Sequence, residues 1–550
     1  MNPVSLRVGR WAAWLLAWVA VLFVGALLRL WHIDNQILLD DEWHALHRLL
    51  QAGYRDIFLS FGHADYSIPL TLLFRALADT VGLYEWQMRL LPMTFGLATL
   101  LVVPALLRPW LRSEERLGLA ALLAISPLLI HFSRYVRPYA MVVLLGFAAM
   151  ILLWQWWRYG GRARAAGFFV CAVAAAWLHP LTTLYTGFGL TWFAFAGIGK
   201  WREGKGARAL FRVLLLGSLT TAACSALILP PLIADTASIA VKTGGHSIEL
   251  QTLARSLEMV LGVGHLWLAA LLIVPIALGA VELWRRDRVF LAFWLSISLF
   301  AILIIQALGP EWIHNALVLV RYTAVSVPVI LSLLAVGLVS IARQIADRLG
   351  SAQPWGVLAA LGVVAGLYVA GPLPAIYSGS NQFTNSVRYQ VDYNFDRNVI
   401  ASIMEPLETP AFYREIASEP GEWRLVEAGW YFETFFSPIP EYQRDHQQLI
   451  QIGMISGLCA DWTWGELPPD TDLEVHLDNF VFLTDVLSTP DNVNRFVVFR
   501  LNYPFDDKPR ELPDLTPCVQ SFREQFGPPW FQSRDHIVFR IPGSAREDGA

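Results

Sequence analysis

Charge is scarce in this sequence. Asp, Glu, Lys and Arg make up 16% of its 550 residues, the formal net charge is −4, and 55% of the chain is hydrophobic. Such a composition excludes a water-soluble globule. No basic cluster interleaved with aromatics stands outside the short loops, so the electrostatic footprint of a nucleic-acid binder is missing as well. Cysteine is equally sparse: there are four, with no Cys-x-x-Cys and no Cys/His metal spacing. The sequence also lacks internal repeats, low-complexity tracts and any Asn-x-Ser/Thr acceptor, the last in keeping with a bacterial periplasm for whatever part is exported.

What the chain does contain is apolar runs of membrane length, about 20 residues each. They fall near 11–31, 87–107, 117–132, 138–157, 165–179, 181–198, 209–231, 266–284, 289–308, 317–341 and 355–373, which predicts about 11 spans. The first run has no small-residue cleavage site before polar sequence, so it reads as a retained helix. Arg7 and Arg10 precede it, and alternate loops hold Arg108, Arg112 and Arg116, Arg158 to Arg164, Lys200 to Arg212, Arg285 to Arg288, and Arg343 with Arg348. Lys and Arg resist translocation, so those loops are predicted to be cytoplasmic. Residues 32–86, the loop near 233–265 and everything after 373 then lie outside.

Beyond residue 373 charges and prolines return and no run is long enough to cross a bilayer. Residues 374–550 read as a soluble extracytoplasmic α/β or α+β domain. "EWRLVEAGWYF", "NFVFLTDVL", "RFVVFRLNY" and "HIVFRIP" are predicted strands, and "AFYREIAS" and "VQSFREQF" predicted helices. Cys459 and Cys518 both fall in this domain, where an oxidising compartment permits pairing, although two buried thiols fit the sequence equally.

The stretch "ILLDDEWHALHRLL" places Asp40, Asp41 and Glu42 just after the first span. Each acid at a helix centre in lipid costs roughly 2.5–3.5 kcal/mol, so the three belong at the water boundary or in a wet cavity. Taken alone, they also fit the N-terminal cap of a surface helix, whose free amides and dipole favour carboxylates.

Several stretches together resemble the GT-C superfamily of membrane glycosyltransferases, in particular the protein O-mannosyltransferase-like and aminoarabinose-transferase-like branch that uses polyprenyl-phosphate sugars. Asp41-Glu42 stands where that family carries an acidic motif in its first external loop. "HADYSIPLTLLFRAL", through His63 and Pro69-Leu70, resembles the family's His/Pro-Leu stretch. "EWQMRLLPMTFG" resembles its Arg-Leu-Pro opening of the second span through Arg89, Leu90 and Gly96, with Pro92 one position late. "ISPLLIHFSRYVRPYAM" is similar to its Ser-Pro to Arg-x-Tyr segment through Ser126, Pro127, Arg137 and Tyr139, and "RYTAVSVPVILSLLAVGL" to its late Arg-Tyr span. The resemblance covers about residues 10–373.

It implies inverting transfer of a sugar from a polyprenyl phosphate to a lipid, glycan or protein acceptor at the external face of the membrane. The residue chemistry agrees. A carboxylate within hydrogen-bond reach can take the acceptor's proton, and Asp41, with Glu42 beside it, is the candidate. Arg137 and Arg321 at external span ends, next to Tyr139 and Tyr322, are candidates for holding the departing phosphate. His63 and His179, also at external ends, are candidates for contacting sugar hydroxyls. Arg89 reads instead as a structural salt bridge, and the Trp-rich spans as interface anchors. Asp40, Asp41, Glu42, His44 and His47 have the make-up that suits Mg or Mn, but the resembled branch implies no metal for the chemistry. The loop 233–265 reads as an ordinary connector or as a cover over the site. A transporter or flippase is the rival class; such proteins commonly show two related halves, and this chain shows none. A non-catalytic envelope assembly protein is the other.

Overall fold

The computed structural model describes residues 3–34, 36, 38, 42, 52–61, 67–81, 83, 85–202, 206–236, 246–310, 312–349, 353–377, 409–420, 423–428, 442, 446, 448–455, 458–459, 480–490, 494–501 and 514–541. They form two compact units. One comprises Met1–Gln36, Tyr54–Phe74 and Leu83–Tyr393; the other comprises Ile37–Gly53, Arg75–Gly82 and Asn394–Ala550.

The first unit is helical. Among its helices are α1 (Pro3–Leu30), α2 (Glu85–Leu106), α3 (Ser113–Ile125), α4 (Pro127–Arg134), α5 (Tyr139–Tyr159), α6 (Arg162–Leu178), α7 (Thr183–Arg202), α8 (Ala207–Ala234), α9 (Leu266–Leu308), α10 (Ala316–Tyr322), α11 (Val327–Leu349) and α12 (Gln353–Val369). Helix occupies each of the apolar runs, because in lipid a backbone must satisfy its own hydrogen bonds. Among the described residues six helices are long and apolar enough to cross a membrane, or seven if the pair α3 and α4 counts as one. The most apolar window of α5, and that of α11 taken with the 3₁₀ turn before it, are 78% buried, against 22% for α8. The first two therefore form the centre of the bundle and α8 turns most of its surface outwards. α9 packs on α11 backbone to backbone: a Cβ at Gly279 would strike the Leu333 carbonyl and one at Gly337 the Pro275 carbonyl, the close approach that small residues permit in membrane bundles.

Three runs differ from straight spans. The run 117–132 bends by 57° between α3 and α4, because Pro127 has no N–H to continue the ladder. The runs 266–284 and 289–308 are two helical arms of α9 that meet at a kink at Asp287, whose backbone is non-helical (φ −155°, ψ 86°), and the Asp287 carboxylate caps the second arm by accepting from Phe290 N at 3.1 Å. The run 317–341 divides into α10, a 3₁₀ turn and α11.

Asp287 also accepts from Trp110 Nε1 at 3.2 Å and pairs with Arg158 at 3.3 Å. Arg286 grips Glu115 through two bonds of 2.6 and 2.7 Å, and Arg343 meets Glu114 at 2.7 Å. These pairs gather four of the predicted cytoplasmic loops at one end of the helical unit.

The second unit contains a six-stranded sheet of order β3-β2-β1-β4-β6-β5. Strands β1 (Arg424–Ala428), β2 (Leu449–Met454), β3 (Phe480–Phe482) and β4 (Asn494–Arg500) are parallel, and β6 (His536–Arg540) runs antiparallel to both β4 and β5 (Phe531–Gln532). α13 (Ala411–Ala417), α14 (Leu483–Ser488) and α15 (Thr516–Phe526) accompany it. Parallel strands need covering on both faces, and separate apolar clusters lie around Val426, Val497 and Phe522 and around Phe412, Leu425 and Phe496. "NFVFLTDVL" is strand only over Phe480–Phe482 and turns into α14, and β2 was not foreseen. On the second face Glu427 pairs with Arg500 at 3.6 Å and accepts from the Tyr413 hydroxyl. Burial pushes the Glu427 carboxyl up, against the pull of Arg500 and Tyr413.

Cys459 and Cys518 are bonded, with Cα atoms 5.1 Å apart and a sequence separation of 59. A loop of that length stabilises a fold by about 2–4 kcal/mol. Thiol titration of the denatured full chain is expected to find only Cys171 and Cys224, and four thiols in protein purified from the envelope would contradict the bond.

Candidate active site

Three helix breaks in the first unit carry the polar side chains. Between α4 and α5 the chain runs extended at Tyr135, and Arg137 N donates to the Tyr135 carbonyl at 2.7 Å. Pro138 follows, keeping Arg137 out of helix and starting α5 at Tyr139. Between α6 and α7, His179 is extended before Pro180, and its carbonyl accepts from Thr182 N at 3.0 Å and Thr182 Oγ1 at 2.9 Å. Between α10 and α11, residues Ala324–Ser326 form the 3₁₀ turn. Ser326 Oγ donates to Ser298 Oγ at 2.9 Å and lies 3.3 Å from the Tyr185 hydroxyl. Asn315 caps α10 by accepting from Leu317 N at 2.9 Å, which fixes the short helix that ends in Arg321 and Tyr322.

The breaks meet. Arg321 Nη2 donates to the Tyr135 hydroxyl at 3.0 Å, and the guanidinium lies 5.4 Å from the Tyr135 ring centre and 5.2 Å from that of Tyr139. His179 stands 6.1 Å from Tyr139 and 5.6 Å from Tyr322, centre to centre. Tyr135, Arg321, Tyr139, His179 and Tyr322 thus form one continuous cationic and aromatic cluster, with the buried Arg137 on the same turn as Tyr135. A guanidinium held between two tyrosine faces keeps its charge in a low-dielectric setting, where an arriving anion is bound more strongly than in water. Five of the sequence candidates, Arg137, Tyr139, His179, Arg321 and Tyr322, are therefore brought to one region. Tyr135 was missed, although it lies inside "SRYVRPYAM".

Asp41 and His63 lie outside the described residues, as do Asp40, His44 and His47. Glu42 is described, is fully buried and belongs to the second unit. Among the described residues no group of three or more His, Cys, Asp or Glu side chains is placed to hold a metal ion.

Buried arginines support the cluster from within the first unit. The missing N–H of Pro127 leaves the Leu123 carbonyl free, and the bend frees that of Ala124. Arg29 reaches both, at 3.0 and 2.9 Å, and binds Ser133 Oγ at 3.0 Å. Arg134 donates to the Trp31 carbonyl at 2.7 Å and lies over the Tyr377 ring at 5.3 Å. Arg89, expected to make a salt bridge, holds two carbonyls, those of Arg134 and Gln36, each at 3.0 Å.

No family model matches this chain, and no curated protein does. Solved structures do. The crystal structure of ArnT from Cupriavidus metallidurans bound to undecaprenyl phosphate matches over 97% of this chain and 98% of its own, at 12% identity and a TM-score of 0.53. The apo form of that protein matches over 96% and 98%, at 10% identity and a TM-score of 0.51. The oligosaccharyltransferase AglB from Archaeoglobus fulgidus, in complex with an inhibitory peptide and a dolichol-phosphate, covers 88% of this chain and 69% of its own, at 12% identity and a TM-score of 0.46. The ArnT likeness covers nearly the whole of this chain and shows the fold: a helical membrane domain and a sheet-containing C-terminal domain.

Proposed function

We propose that this chain is an integral membrane glycosyltransferase that moves a sugar, with inversion, from a polyprenyl-phosphate donor to an envelope acceptor. The observation that carries the reading is the meeting of Arg321, Tyr135, Tyr139, His179 and Tyr322 at three helix breaks, beside Arg137. Undecaprenyl phosphate bound to the ArnT of like fold supports a lipid phosphate as the anion.

In this reading Asp41 takes the proton of the acceptor's hydroxyl or amine as that atom bonds to the anomeric carbon. The bond from that carbon to the phosphate oxygen breaks on the opposite face, and its electron pair leaves with the phosphate. Arg321 and Arg137 stabilise the charge that develops there, with the tyrosine hydroxyls as further donors. His179 and His63 contact sugar hydroxyls, and Glu42 assists in the acidic segment. The alternation of basic loops supports a site at the external face of the cell's inner membrane, with residues 374–550 in the periplasm.

The test is mass spectrometry of envelope glycans and lipids from a strain lacking this gene. A sugar missing from one lipid, glycan or protein is the expected result and identifies donor and acceptor together. An unchanged envelope inventory would contradict the reading.

A further inference from the structure

Ahead of α9 the first unit holds one more helix, Leu250–Leu261, and its polar residues point the wrong way for a helix in water. Thr252, Ser256 and Glu258 are buried, whereas Leu250 and Leu253 are exposed. Buried hydroxyls need partners, and these two find theirs at the start of α10. Thr252 Oγ1 donates to the His314 carbonyl at 2.7 Å and Ser256 Oγ to the Ala316 carbonyl at 3.3 Å. Residues four apart share one helix face, so the two hydroxyls form a row that grips the chain on either side of Asn315, the cap of α10.

Both ends of this helix are tied to the bundle. Before it, Ile248 N donates to Gln306 Oε1 of α9 at 2.7 Å. After it, Gly262 ends the helix in the left-handed region at φ 69°, where a Cβ would strike Pro127 and the Tyr368 ring. The helix is therefore a fixed strut. α10, by contrast, has only seven residues, and a helix shorter than about 12–15 residues is marginal by itself. Its direction comes from what it leans on: the strut, and, through Leu319 and Tyr322, the apolar cluster with Ile248, Ile305 and Ile313. A tilt at Ala316 is carried to the Arg321 guanidinium, which stands against Tyr135 and Tyr139.

We infer that Thr252 and Ser256 are positioning residues that seat α10 and so aim Arg321 within the cationic and aromatic cluster, an inference that rests on the glycosyltransferase reading. They act only through α10. A displacement of about 1 Å at a reacting centre costs on the order of 10²-fold in rate.

The experiment compares Thr252→Val/Ser256→Ala, which removes both hydroxyls, with Thr252→Ser, which keeps one at each position. Both are measured in the full chain with a polyprenyl-phosphate sugar as donor. The double variant is expected to lower kcat/KM by about 10- to 100-fold per folded molecule, and Thr252→Ser to stay within about threefold of wild type. In an Arg321→Ala background the double variant should cost less than about threefold more, because residues acting through one group are not additive. Unchanged kcat/KM in the double variant, or losses that multiply with that of Arg321→Ala, would overturn the inference. A wild type that releases no polyprenyl phosphate would overturn the glycosyltransferase reading instead. Amide exchange across 316–322 then decides the seating by itself: faster in the double variant if the hydroxyls hold α10, and unchanged if they do not.

Discussion

Asp41→Asn is expected to lower turnover about 10²–10⁴-fold, the usual worth of general-base catalysis, and to leave binding of the lipid donor near its wild-type value. Asparagine keeps the size and much of the hydrogen bonding of aspartate but cannot take a proton. A loss confined to kcat therefore isolates the base from the scaffold. Asp40 and Glu42 are the controls. Neutralising Asp40 should cost much less than neutralising Asp41, whereas Glu42, fully buried, should lose folded protein along with activity when made Ala, because a buried carboxylate leaves its partners unsatisfied. The measurement is single-turnover release of polyprenyl phosphate together with donor binding. Equal, mild losses at all three positions, at normal protein levels, would mean that the acids only cap a helix.

Arg321→Ala should behave differently, weakening donor binding and turnover together. Its guanidinium is held by the Tyr135 hydroxyl and by the faces of Tyr135 and Tyr139, and in the proposed reaction that charge would meet the phosphate both before and during its departure. Loss of one preorganised donor to a developing oxyanion costs about 10²–10³-fold in kcat, and a similar loss is expected here with a raised KM. Arg321→Lys tests the geometry: an ammonium keeps the charge but has no planar fork and no face to stack, so it should remain at least about tenfold impaired. Steady-state kinetics at varied donor concentration decides the matter. Near wild-type kcat/KM in Arg321→Lys would reduce the role of Arg321 to charge alone, and near wild-type values in Arg321→Ala would remove it from the site.

Helix at every apolar run, and a soluble composition after residue 373, were legible because both follow from mean composition over windows of membrane length. Arg137, Tyr139, His179, Arg321 and Tyr322 were legible because each is a polar or aromatic residue at the end of a span, where an apolar run has no need of it. The same logic hid the burial of Arg29, Arg89 and Arg134. Window reading treats an arginine as belonging to a loop or a helix end, whereas these three are buried and bind carbonyls. Two of the carbonyls held by Arg29 come free only where Pro127 breaks the ladder, and its partner Ser133 lies 104 residues away. "ISPLL" carried the signal for the bend, but not its direction. Tyr135 escaped for a related reason: its value comes from Arg321, 186 residues further on. In the C-terminal domain "NFVFLTDVL" is apolar enough for a strand throughout, yet Leu483 and Val486 are buried as one face of α14. Periodicity over so few residues does not separate the two.

The central claim is that this protein separates a sugar from a lipid phosphate. Its most direct test is the quantity of free polyprenyl phosphate formed when purified protein meets polyprenyl-phosphate sugars and envelope acceptors extracted from its own membrane. Release by the wild type, abolished to within about 1% by Asp41→Asn and reduced by Arg321→Ala with weaker donor binding, is the predicted result. A donor pool left intact by folded wild-type protein would contradict the account.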